Sequence, residues 1–185
     1  MPHSNSYNVG QFQQPDGSTD SSMNLGQQLC FALYSSSLTM TKLYKSLLAP
    51  LGLTYPQYLV LLVLWEKDSI SVGALGSRLF LDSGTLTPLL KRMQIAGWLN
   101  RTRAADDERR VVVSLTPNGH ALRHEAASVP LQVASACIND VNDANDINEL
   151  SELTARLQLL RTRIATAVES ENIASLPPLT QRNSP

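Results

Sequence analysis

The sequence predicts a mainly α fold with a small β-hairpin wing, framed by longer helices able to pair with a second copy. Three observations carry that expectation. Two short capped helical segments flank a tight break at Phe80-Leu81, and two β-type runs around a polar tip follow at once. Apolar residues at helical spacing run through both ends of the chain. Helix, break, helix and hairpin, in that order, make a winged helix-turn-helix with N- and C-terminal dimerisation helices.

Residues 1–22 are rich in Ser, Gln, Asn and Gly and read as a disordered tail, and residues 172–185, with Pro177 and Pro178, as a second loose tail. Between them a single domain is expected over 23–171. Its winged helix-turn-helix spans about 54–116 and its dimerisation helices about 24–49 and 117–169. Leu25, Leu29, Leu33, Met40, Leu43 and Leu47 recur at helical spacing until Pro50 ends that helix. Thr54 and Gln57 have capping-box spacing, so the apolar run from Tyr58 to Trp65 reads as a buried helix rather than a strand. Ser71 caps a short helix, and Asp82 caps the next, which Gly97 stops. Trp98–Arg103 and Arg110–Leu115 form the hairpin around Ala104–Arg109. Thr116 and Pro117 open a helix expected to run on through Leu122, Val129 and Val133 to Cys137. A final helix carries the stripe Ile147, Leu150, Leu153, Leu157, Leu160, Ile164 and Val168.

Fifteen basic against sixteen acidic residues give a net charge of −1, which argues against a nucleic-acid binder until the chain is divided. Residues 78–110 hold seven basic and four acidic groups, a surplus of three positive charges. Residues 140–171 hold seven acidic groups against three arginines. The positive surplus falls on the two elements that would touch a duplex. The second helix offers Ser83, Thr85, Thr87, Lys91 and Arg92 to the major groove, and the hairpin tip brings Arg109 and Arg110 to a minor groove or its phosphates. Asp107 is expected to hold the Arg109 guanidinium. Two cysteines are too few for a secreted disulfide scaffold, and no signal peptide or membrane span is legible, so a cytoplasmic protein is expected. His120 and His124, one turn apart, read as exposed helix residues; no metal or cofactor is expected.

Asp107-Glu-Arg109, followed by Leu115-Thr-Pro-Asn-Gly119, resembles the wing and wing exit of the MarR family of bacterial repressors. The strings Leu29-Cys-Phe-Ala-Leu-Tyr34, Leu53-Thr-Tyr-Pro-Gln-Tyr-Leu59 and Leu81-Asp-Ser-Gly-Thr-Leu-Thr-Pro-Leu-Leu-Lys91 resemble its organic-hydroperoxide-sensing (OhrR-type) branch, over roughly Leu25 to Pro130. From spacing alone, Cys30 reads as a small buried hydrophobe. The resemblance instead implies a peroxide-reactive cysteine, with Tyr34 one turn away and Tyr44 and Tyr55 donating hydroxyls to its sulfur. Such donors are needed because only a thiolate attacks a peroxide, and an ordinary thiol, with a pKa of about 8.5, is mostly protonated at neutral pH. Cys137 resembles the resolving cysteine of the two-cysteine subgroup, which would join Cys30 of the partner copy in a disulfide. The resemblance thus implies a homodimer that binds a pseudo-palindromic double-stranded DNA operator when reduced and releases it on oxidation by organic hydroperoxides.

Other readings stay open on the sequence: a MarR-type repressor relieved by a small aromatic ligand, a thiol peroxidase, or a bare dimerisation module.

Overall fold

A computed structural model describes residues 24–104, 107 and 109–169; both tails, and Ala105, Asp106 and Glu108 of the wing tip, lie outside them. Helices α1 (Leu29–Leu48) and α2 (Tyr55–Glu66) are followed by β1 (Ile70–Ser71), α3 (Val72–Leu79) and α4 (Ser83–Ile95). The wing strands β2 (Leu99–Arg103) and β3 (Val111–Leu115) come next, then α5 (Pro117–Glu125), α6 (Val129–Cys137) and α7 (Ala144–Glu169).

The expected caps form. In α2, Gln57 Oε1 accepts from the Thr54 N–H at 2.8 Å and the Thr54 side chain accepts in return, a complete capping box. With its apolar residues on all sides, α2 is the central helix: Tyr58, Val60, Leu61, Val63 and Leu64 are buried together with Leu48, Leu75, Leu86, Leu90, Met93, Leu99 and Val113. Ser71 accepts from Ala74 N to start α3 and Asp82 from Thr85 N to start α4. Gly97 then leaves α4 with φ +76°, a conformation a β-carbon would strain.

Three expectations are corrected. The first helix begins at Leu29, because Asn24 caps a separate 3-10 turn over Leu25–Gln27. The helix after the wing is two helices: α5 stops at Glu125 and α6 restarts at Val129, with Pro130 in its first turn. A proline there has no N–H to give the preceding turn, so the chain breaks rather than continuing. The wing also has a third strand: β1 pairs antiparallel with β3 (Ile70 opposite Val113), giving the order β1-β3-β2. Two residues are too short for a period-2 pattern, so β1 was invisible to sequence reasoning.

The wing root is tied from several sides. Asp68 Oδ1 accepts from the Leu115 N–H at 2.9 Å, and the Trp65 indole N–H donates to the Gly119 carbonyl at 2.9 Å. Thr116 Oγ1 donates to the Gly97 carbonyl at 2.6 Å and accepts from the Gly119 N–H at 3.1 Å. Gly119 itself lies so close to Trp98 that a β-carbon would sit 2.0 Å from the Trp98 carbonyl oxygen.

That contact generates a paired prediction. Gly119→Ala must push two backbones apart and is expected to cost at least about 2 kcal/mol. Gly73→Ala, on an α3 site with nothing within 4 Å of the new carbon, should stabilise by about 0.5–1 kcal/mol. Urea unfolding of both variants checks the opposite signs.

Candidate nucleic-acid interface and thiol site

Asp82 sets the start of α4. Its Oδ1 accepts from the Thr85 backbone N–H and its Oδ2 from the Thr85 hydroxyl, each at 2.9 Å. The Thr85 backbone bond, then the hydroxyl bond, hold the carboxyl below its usual pKa. Leu86, Leu89, Leu90 and Met93 face the core, and Ser83, Thr85, Thr87, Lys91 and Arg92 are all exposed. Helical spacing divides those five. Thr87 and Gln94 lie on the flank nearest the wing, whereas Thr85 and Arg92 lie on the other. The hydroxyl of Thr85 serves the cap.

The wing closes over the first flank. Thr87, Arg101, Asp107, Arg109 and Arg110 line one cleft of about 480 Å³ together with the start of α3. Arg101 Nε donates to Gln94 Oε1 at 2.8 Å, joining β2 to the end of α4. Arg101 and Gln94 were not singled out from the sequence; the signal was a basic residue on the strand that leads into the wing tip. Asp107 does support the tip, but through the backbone: its Oδ1 accepts from the Arg109 N–H at 3.0 Å and its carbonyl from the Arg110 N–H at 2.9 Å. The bond shown is to the Arg109 main chain rather than to its guanidinium, because a carboxylate two residues earlier reaches the amide of a tight turn first.

Cys30 lies in the first turn of α1 and is exposed, so it is not the buried hydrophobe its spacing alone suggests. Tyr34, one turn on, is also exposed. Tyr44 stacks on Tyr55 with centroids 4.1 Å apart and leans on Tyr58 at 5.8 Å. Burial, then the neighbouring Tyr55, Tyr58 and Cys137, push the Tyr44 phenol up to about 12, and burial raises Tyr55 too. Cys137, exposed at the end of α6, belongs to a helix that packs on α1 of the same chain, near enough to Tyr44 to add to the rise of its phenol. Cys30 does not: fourteen residues of α1 separate it from Tyr44, about 21 Å along the axis. Tyr44 and Tyr55 can touch a Cys30 sulfur only if it belongs to a second copy.

Apolar side chains on three helices are left exposed in the single chain. Leu29, Phe31, Tyr34 and Leu38 of α1, Leu131 of α6 and Ile147, Leu153, Leu157, Ile164 and Val168 of α7 are all exposed. His120 lies 3.7 Å from Asp68 and is not near a metal-binding set; among the described residues no group of three His, Cys, Asp or Glu could hold an ion. Among the same residues no single helix is long and apolar enough to cross a membrane.

Comparison with known proteins decides the family. Residues 42–125 match the family model described as transcriptional regulator SarA/Rot. The organic hydroperoxide resistance transcriptional regulator of Bacillus subtilis is 54% identical over 108 residues, 58% of this chain and 74% of that one. The chain belongs to the MarR/SarA-type winged-helix regulators. Reduced AbfR bound to DNA superposes with a TM-score of 0.65 at 32% identity, over 79% of this chain and 98% of that one; AbfR is from Staphylococcus epidermidis. Wild-type MarR of E. coli in its apo form gives 0.59 at 25% identity, over 70% and 96%. In a regulator of this family, α3 and α4 are the helix-turn-helix and α4 is the recognition helix, with β2 and β3 as its wing.

The tyrosine cluster carries a pH prediction. A phenol whose folded pKa lies above its unfolded value of about 10 contributes stability that is intact below that value and is lost as pH rises through the folded one. Absorbance titration should therefore show a phenol ionising near pH 12. Stability should fall between about pH 10 and 12, less steeply in Tyr44→Phe, and an unchanged alkaline profile in that variant counts against the cluster.

Proposed function

We propose that this chain is a redox-sensing transcriptional repressor: a homodimer that holds a pseudo-palindromic operator while Cys30 is reduced and releases it when an organic hydroperoxide oxidises Cys30. The observation that carries the reading is the separation of Cys30 from the stacked Tyr44 and Tyr55, with Cys137 beside them. A second copy packed on the exposed stripes with its α1 antiparallel would bring its Cys30 onto these tyrosines and this Cys137. The family supports it: a relative named for organic hydroperoxide resistance, and AbfR, solved reduced on DNA and, separately, with a disulfide formed.

The chemistry follows from that placement. Tyr44 and Tyr55 stay protonated near neutral pH, since both phenols are raised above their ordinary value, and a protonated hydroxyl can donate to a thiolate. The Cys30 thiolate attacks the terminal peroxide oxygen, the O–O bond breaks, and the alkoxide leaves and takes a proton. Cysteine becomes sulfenic acid as the hydroperoxide is reduced to an alcohol. The Cys137 thiol of the partner then displaces water from that sulfenic acid and forms the disulfide. Because Cys137 ends α6 and Tyr44 belongs to α1, both dimerisation helices must shift to admit the bond. The two recognition helices would then no longer fit successive grooves.

On the DNA side, Ser83, Thr87 and Lys91 of α4 face the major groove, with Arg92 on the far flank against phosphates and the Thr85 hydroxyl kept in the Asp82 cap. Arg109 and Arg110, held by Asp107, enter the minor groove with Arg101 behind them. The protein acts in the cytoplasm, where its DNA lies in a reducing thiol pool, and as a one-shot sensor rather than a peroxidase.

Three experiments test this. Cumene hydroperoxide should release operator DNA in band shifts from the wild-type protein and not from Cys30→Ser; release by the Cys30→Ser protein removes the sensor. On a non-reducing gel, peroxide should give a dimer-sized band that Cys137→Ser abolishes. Arg109→Ala should weaken binding across sequences and lower the salt slope by about one phosphate contact; an unchanged slope would take the wing off the DNA.

A further inference from the structure

We propose that Arg161 and Phe80 form a latch that fixes the base-reading end of each recognition helix to the C-terminal helix and so sets the half-site spacing the repressor accepts. The proposal rests on the dimeric DNA-binding reading above and adds a specificity determinant to it.

Phe80 is an unusual residue for its place. It ends α3 with φ 56°, a left-handed conformation that a glycine would adopt without strain. Its ring is 64% exposed rather than folded into the core. The guanidinium of Arg161 lies over one face of it, 4.3 Å from the ring centroid, inside cation–π range. Arg161 belongs to α7, eighty-one residues later in the chain.

The position of the ring gives the contact its effect. Phe80 stands two residues before Asp82, the cap of the recognition helix, and shares with Asp82 and Ser83 a groove of about 400 Å³. The other routes from the reading head to the dimerisation helices enter elsewhere. The end of α1 packs on α2 through Leu48 and Tyr44, and α5 leaves from the wing root. The route through α5 is interrupted between Glu125 and Val129. Held only there, the head could pivot about its wing root and swing the start of α4. The Arg161 contact is a second point of attachment, at the end that reads bases. Helical spacing puts Arg161 at the edge of the stripe Leu153, Leu157, Ile164 and Val168. A shift of α7 against the partner copy therefore moves the Asp82 end of α4 directly.

The test uses the full-length reduced protein and a duplex that the wild type selects from a random library. Base pairs are then inserted or deleted between the half-sites. The wild type should lose at least about tenfold in affinity per base pair of altered spacing. Phe80→Leu and Arg161→Met, both at exposed positions, should bind the parent duplex within about threefold yet discriminate spacing by less than about threefold; Phe80→Tyr, which keeps a ring, should restore discrimination. A wild-type spacing profile in Arg161→Met overturns the latch, as does equal loss on every duplex. If the wild type selects no duplex, the DNA-binding reading falls and the latch with it.

Discussion

The reading head is assembled on one close approach, the bare α-carbon of Gly119 against the carbonyl of Trp98. That approach lets Thr116 donate to the Gly97 carbonyl, where α4 ends, and accept from Gly119, where α5 begins. The Trp65 indole N–H on the Gly119 carbonyl then pins both to α2, the buried centre of the domain. One joint thereby fixes the recognition helix, the wing and the exit toward the dimerisation helices relative to each other. Placing Thr87 and the arginines of the tip around a single cleft depends on it. Several of these partners are backbone groups with limited access to water, so each bond lost would leave a costly unsatisfied polar atom.

A second constraint works at the opposite end. The head satisfies its own core, whereas α1, α6 and α7 hold apolar side chains that one chain leaves in water. A stripe of leucine and isoleucine several turns long is costly to hydrate, and burial against a like surface recovers about 25 cal/mol for each Å² covered. Self-association thus follows from the same helices that carry the cysteines. In the proposed sensor, sensing and dimerisation would use one surface, so an oxidised sulfur there would disturb the packing that spaces the heads.

Much of this was legible because it is locally encoded. Thr54 with Gln57, Ser71, Asp82, Gly97 and Thr116 each act within three or four residues, and each caps or stops the element expected of it. What escaped depends on distance or on very short elements. Strand β1 is defined only by pairing with Val112 and Val113, far along the chain. The break between α5 and α6 falls in a stretch whose apolar spacing continues across it, so periodicity carried the helix straight through. Arg101 looked like one more charged strand residue until its bond to Gln94 turned it toward the cleft. The role of Asp107 was right in kind and wrong in atom, since sequence proximity does not say whether a carboxylate meets a guanidinium or an amide first.

The thiol site shows why a resemblance and a single chain had to be read together. The motifs group Cys30 with Tyr44 and Tyr55, yet a straight helix holds the sulfur and the Tyr44 ring about 21 Å apart. Both statements hold only if the grouped residues come from different copies. The proposed antiparallel pairing of α1 with its twin would supply the geometry, bringing each Cys30 to the other chain's tyrosine stack. Cys137 ends α6, the helix of the same chain that packs on α1. In the proposed sensor the resolving thiol and the hydroxyl donors belong to one chain and the peroxide-reactive thiol to the other. In this arrangement a monomer holds every residue of the sensor and still lacks the site, so dissociation would disable sensing as well as spacing.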